Sequence, residues 1–413
     1  MTINPIATAA QRAMEDRALR LAGHPDLQDA RVKAAALWRG VIAHDFSAEA
    51  LSMLDDAVAD YAFNYLLKAV NSDAAHPQVL RLFMPPHRWF GRELPGARLG
   101  GDNPDNCYRI IPVEAGGSYL IEGHFTGPRP ADSTFTLVGN SATSRTLQTI
   151  EGHGLTVEPD GRFRISVDDD PANGRPNHLR NGKRGLYLYV RDSMLDWAQE
   201  TPPHLAVRRL DPVESNPISD AEIIEIAVWS LIGDVPQTYW WQRFAMAREP
   251  NTMDAPYRAV TTGGLLTQVS AKGFFCLGEE DALVIRMTTG GARYASLVVH
   301  DCYYRTIDYP HCTSTLNLAQ LVPDADGAYH YVVSIRDPGV FNWIDTGGLH
   351  DLIANHRWQG LPEHGAPDLS VRLVPFSRLR EVLPPETCWV SPGDRKAQLA
   401  ARRAGFERRL IEH

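Results

Sequence analysis

Residues 337–348 read Asp-Pro-Gly-Val-Phe-Asn-Trp-Ile-Asp-Thr-Gly-Gly, a run whose proline and glycines fix the backbone course. His356-Arg357-Trp358-Gln359 follows closely. A carboxylate, a guanidinium and two indoles in such a stretch are the parts of a small-molecule pocket. Asp345 is the candidate general acid or base, if burial strips its water. Arg357 would hold an anion in its fork or stabilise developing negative charge. Trp343, Trp358 and Tyr304 would pack on a flat or cyclic ligand, with Asn342 and Asp301 as polar contacts. The alternative is an Asp–Arg pair that merely pins a long loop, with the tryptophans in the core.

Other clusters carry weaker chemistry. His300, Cys302 and Tyr304 share one face of a strand, and His311 and His330 lie within reach in sequence. A metal-dependent enzyme built on His300, His311 or His330 is one alternative, although no HExxH-type spacing supports it and no metal site is expected. Asp168-Asp169-Asp170 lacks the spacing of a calcium loop and reads as a solvated strand end. Glu122 and His124 share a strand face, an acid–base pair in outline. Tyr187, Tyr189 and Arg191 share another, a ladder that would line a cavity or cover a half-buried sheet. Tyr239-Trp240-Trp241-Gln242-Arg243-Phe244 is too aromatic to face water all round and reads as a wall between a helical layer and a β-domain. No P-loop, GxSxG elbow or Rossmann GxGxxG is present, so no nucleotide cofactor is expected.

These residues need elements to position them. The first 85 residues are read as helical, with Ser47 capping a helix whose stripe is Leu51, Leu54, Val58, Tyr61, Ala62, Tyr65 and Leu66. Residues 86–212 show short alternating runs between turn signals, the texture of an antiparallel sandwich or barrel. Residues 213–260 form a helical connector, opened by the capping box Ser219…Glu222. Strand texture resumes over 261–390, and 391–413 is an Arg-rich helix. An internal repeat links the two β-regions. VEPDGRFRISVDDDPAN matches VPDADGAYHYVVSIRDPGVFN, which aligns Asn173 with Asn342, and HLAVRRLDP echoes DLSVRLVPF. The sequence is therefore a mainly β, α+β chain. It holds two related antiparallel sandwich or jelly-roll-like domains, an N-terminal helical region and a helical connector.

The chain has 413 residues, 44% hydrophobic and 22% charged, with net charge −9. That is a globular composition, and its acidity argues against nucleic-acid binding. No apolar run is long enough to span a membrane, no secretory signal opens the sequence, and the odd number of cysteines, five, suits reduced thiols in a cytoplasm.

Three segments resemble bacterial proteins carrying the domain of unknown function DUF1214: residues 100–125, the run DGRFRISVDDDPANGRPNHLRNGKRGLYLYVRD, and IRDPGVFNWIDTGGLHDLIANHRWQG. The resemblance implies β-sandwich domains with helical additions and carries no established reaction. Asn342-Trp343-Ile344-Asp345 stands where that family has Asn-Trp-Leu-Pro. The expected function is a cofactor-independent enzyme, a hydrolase, lyase or isomerase, acting by acid–base chemistry on a small apolar or cyclic molecule. A non-catalytic carbohydrate or small-molecule binding protein is the other alternative. The oligomeric state is open, a homo-oligomer included.

Overall fold

The computed structural model describes residues 4–139, 145–182, 185–258, 265 and 267–412. Helices Ala9–Leu21, Pro25–Ile42, Ala48–Ser52 and Leu54–Val70 form the N-terminal layer. Ser47 caps only the short third helix, accepting from the Ala50 amide at 3.2 Å, and the chain breaks at Met53 before the fourth. The fourth helix buries Val58, Tyr61, Ala62, Tyr65 and Leu66, as the apolar spacing requires. Helices Asp220–Gly233 and Val235–Met246 pack back onto this layer, and the Ser219–Glu222 capping box is formed.

Two sandwiches follow one plan. In the first, a sheet ordered Leu80–Leu82, Asn106–Pro112, Tyr187–Ser193, Asp132–Val138, Thr146–Ile150 covers a sheet ordered His204–Arg209, Tyr119–His124, Arg162–Asp168, His178–Arg180. In the second, Thr252–Met253, Val269–Cys276, Asp351–Gln359, Tyr294–His300, Thr315–Asn317 covers Asp368–Pro375, Asp281–Thr288, Tyr329–Ser334, Trp343–Asp345. Each smaller sheet ends in a parallel pair, Arg162–Asp168 with His178–Arg180 and Tyr329–Ser334 with Trp343–Asp345. The sequence repeat is thus a repeat of topology. Its register needs one correction, because the residue equivalent to Asn342 is Asn177 and not Asn173. Asn177 exchanges side-chain hydrogen bonds with the Thr156 backbone, and Asn342 does the same with Val322. The first sheet also starts at Leu80, inside the segment read as helical, and the second starts at Thr252. All five cysteines are free thiols.

The faces of the two larger sheets that point away from the sandwich cores turn toward each other and toward the helices. Ser193 donates to Gln359 across the gap at 3.1 Å. These two residues are equivalent in the repeat, as are Arg191 and Arg357, for each pair lies on the middle strand of its larger sheet. A contact between equivalent positions is what a local twofold relation between the sheets produces. Asp105 holds the junction. Its fully buried carboxylate accepts from Tyr294 Oη at 2.7 Å, Trp197 Nε1 at 2.8 Å and Asn317 Nδ2 at 2.8 Å. The C-terminal helix Pro392–Glu407, capped by Ser391 with Asp394, closes this side. Just beyond it, Arg409 donates to the Pro104 carbonyl.

Asp105→Ala removes three buried hydrogen bonds and leaves Trp197 Nε1 without an acceptor, so it should cost about 3–5 kcal/mol. Asp105→Asn, which keeps an acceptor oxygen, should cost clearly less. Urea unfolding of both variants checks the order.

Candidate functional site

The residues expected to form one pocket are separated by the fold. Trp358 is fully buried in the second core, its Nε1 on the Thr288 carbonyl, and its neighbour Arg357 points to the opposite face of the same strand. Trp343 donates to the Ser334 carbonyl and lies under the Arg395 guanidinium, a clamp on the C-terminal helix. Asn342 clamps Val322 and His330 backbone. Asp301 caps the Tyr303 and Arg305 amides and pairs with Arg305, which reaches on to Asp60. These four are structural. Asp345 sits at the end of the second smaller sheet and accepts from the Gly347 amide at 2.8 Å. Burial raises its pKa, as a general acid would need, but the nearby charges are Asp337 and Arg395. No hydrogen bond or ion pair joins it to Arg357 among the described residues, so the expected Asp345–Arg357 pair is absent there.

The histidines do not converge either. His311 pairs with Asp308, His330 with Asp324, and His300 is buried with Nε2 on the Asp102 carbonyl. Among the described residues no three metal-ligating side chains gather. Glu122 is tied to Arg164 and Asp168 to Arg175, both at the surface. Of the exposed tryptophans, Trp229 and Trp240 stand on helices and not on a sandwich face.

Arg357 and Tyr304 do belong to one place. Between the facing sheets and the helical layer runs a chain of buried and half-buried side chains. Lys68, in the last turn of its helix, lies 5.3 Å from the Phe83 ring. Phe83 meets Tyr108 at 5.0 Å and Tyr189 at 5.9 Å, and those tyrosines stack at 5.6 Å. Arg191 covers Tyr189 at 3.9 Å. On the second sheet, Arg357 Nη2 donates to the Gly101 carbonyl at 2.6 Å, Asn355 Nδ2 donates to Tyr304 Oη at 2.7 Å, and Lys272 stands 5.8 Å from the Tyr304 ring. Trp241 closes this end, 5.4 Å from Lys272. Tyr189 and Arg191 of the expected ladder and Trp241 of the expected aromatic wall thus line one recess, while Trp240 and Phe244 stay exposed.

The backbone is bent to build it. Phe83 and Tyr304 both hold positive φ, 61° and 60°, a costly conformation for aromatic residues. Gly101, at φ 74°, backs the Tyr304 ring so closely that a Cβ there would sit 2.9 Å from it.

The recess is electropositive. Neither Lys272 nor Arg357 has an ion pair among the described residues, and Arg357 Nη1 is buried without a hydrogen bond. Their charges meet at His300, which burial, then Arg357 and more weakly Lys272, hold down to about 3. Burial raises the Tyr108 hydroxyl, with Arg357 and Arg191 opposing. Sequence reasoning missed Lys68, Phe83, Gly101, Tyr108, Lys272 and Asn355. Only the scarcity of lysine, five residues among 41 basic ones, marked any of them.

Comparison with known proteins adds architecture. No family model matches the chain, and no curated protein does. The crystal structure of an uncharacterised protein from Burkholderia cenocepacia is similar over 88% of this chain and 100% of its own, at 22% identity and a TM-score of 0.71. The likeness is one of fold. A Vibrio parahaemolyticus protein aligns over 77% of this chain and 98% of its own, at 8% identity and a TM-score of 0.40, too low to argue from. No helix of the described residues is long and apolar enough to cross a membrane.

Asp102, at the base of the recess, accepts from Thr306 Oγ1 at 2.8 Å, and burial lifts its pKa to about 7. A folded pKa above the unfolded value of about 3.9 means that its stabilising contribution is full below that value and fades as pH rises through 7. Asp102→Asn should therefore gain on the wild type between about pH 5 and 8, by on the order of 2 kcal/mol. Urea unfolding at the two pH values measures this. A constant difference would contradict the assignment.

Proposed function

We propose that the chain acts on a small organic anion with a flat apolar body, bound in the recess between the two sandwiches. The observation that carries this is the pair of half-buried cations, Lys272 and Arg357, set among aromatic rings with no carboxylate paired to either among the described residues. Leaving such charges desolvated is costly unless an anion completes them. Arg357 keeps its expected role, presenting a guanidinium edge to the anionic group, with Lys272 beside it. The rings of Phe83, Tyr108 and Tyr189 would cover the apolar body. Tyr304 is the proton donor. Its oxygen accepts from Asn355, which leaves its own O–H directed elsewhere, and no described residue takes that proton. Acid–base chemistry beside a held anion suits a lyase or isomerase, run by the chain's own side chains.

Benzoate is the probe. At millimolar concentration it should raise Tm by about 2 °C or more, whereas benzyl alcohol should not. Arg357→Gln and Lys272→Met should each weaken binding about tenfold or more, and Asp345→Asn should leave it unchanged. Equal shifts with the acid and the alcohol, or none with either, would refute the anion site.

A further inference from the structure

Lysine is rare in this chain. Of 41 basic residues only five, Lys33, Lys68, Lys183, Lys272 and Lys396, are lysine. Arginine carries most of the positive charge. Lys33 pairs with Asp29 on the surface, and Lys396 is exposed on the C-terminal helix. Lys68 and Lys272 both stand in the recess. Arginine stays protonated, so what a lysine adds at such a position is an amine able to lose its proton and attack carbon.

Lys68 has the surroundings for that. Its Nζ lies 5.2 Å from the Tyr65 ring and 5.3 Å from the Phe83 ring, and it makes no hydrogen bond or ion pair among the described residues. Asp234, the carboxylate whose charge acts on it, is engaged by the Tyr65 hydroxyl at 2.5 Å. Phe83 takes its positive φ to lie where its ring meets both the amine and the tyrosine stack. Lys272 differs in place: it stands on the second larger sheet among Trp241, Phe244 and Tyr304, beside the strand that carries Arg357.

We propose that Lys68 is a nucleophilic amine that condenses with the carbonyl carbon of an aldehyde or ketone whose anionic end is held by Arg357 and Lys272. The amine adds to the carbonyl. Both of its protons then leave with the carbonyl oxygen as water, and an imine remains. No oxidant or reductant enters. Burial supports the role by bringing the Lys68 pKa down to about 8, with Asp234 opposing. Near neutral pH that gives about two orders of magnitude more free amine than an ordinary lysine. The inference rests on the recess being the ligand site.

The test is reductive trapping of the full chain with para-formylbenzoate and cyanoborohydride, followed by peptide mass spectrometry, with benzaldehyde as the uncharged control. The expected result is one adduct on Lys68, at least about tenfold above the adduct on Lys33 or Lys396 and suppressed by benzoate. Lys68→Met, which keeps the chain length and removes the amine, should abolish it while keeping the benzoate shift. An adduct on Lys272 instead, or a spread over the surface lysines, overturns the proposal. So does a benzoate shift with no adduct at Lys68, and in that case the anion site stands. Equal trapping of both aldehydes at Lys68 would also overturn the proposal, since it requires the anionic end to be held.

Discussion

The carboxylate of Asp105 is the constraint on which the arrangement depends. A charge with no exposed surface costs several kcal/mol to bury, and only donors in good geometry recover that cost. Its donors come from far apart in the chain: Trp197 after the first large sheet, and Tyr294 and Asn317 in the second. Three bonds to one small group fix the second sandwich against the first in angle as well as distance. Asn103 adds a bond to the same Tyr294 hydroxyl, and the C-terminal segment shields the cluster through Arg409.

Once that junction is set, the faces of the larger sheets have nowhere to go but toward each other. They are polar where they touch, with Ser193 on Gln359 and Arg357 on Gly101, and aromatic where they part. An apolar interface would have sealed. This one leaves Lys68, Tyr187, Tyr189, Lys272 and Arg357 partly exposed, and the helical layer supplies the remaining wall through Trp241 and Lys68. The recess is what remains between two sheets that are tied at one end and lined with side chains too large and too polar to pack.

Much of this was legible in the sequence. Alternation and turn residues marked the strands, the capping box at Ser219 marked a helix start, and the repeat announced two like sandwiches. The site was less legible for a specific reason. Period-two alternation says which residues share a face but not whether that face meets core, water or another domain. Arg357 and Trp358 are neighbours on a strand, which must send the two to opposite sides, and that alone dissolves the expected pocket. Tyr187, Tyr189 and Arg191 share a face in sequence and structure alike, because their alternation is that of a strand. Asp301 and Asn342 looked like chemistry because polar residues that hold loops and polar residues that hold ligands are the same residue types. Only their filled hydrogen-bond valences tell them apart.

The repeated topology has a consequence for how this protein can change over generations. Duplication ordinarily leaves one copy spare, free to drift while the other keeps the old task. Here Arg191 and Arg357 are the same position in the two copies, and both act on Tyr108, so drift in either sandwich alters the same surroundings.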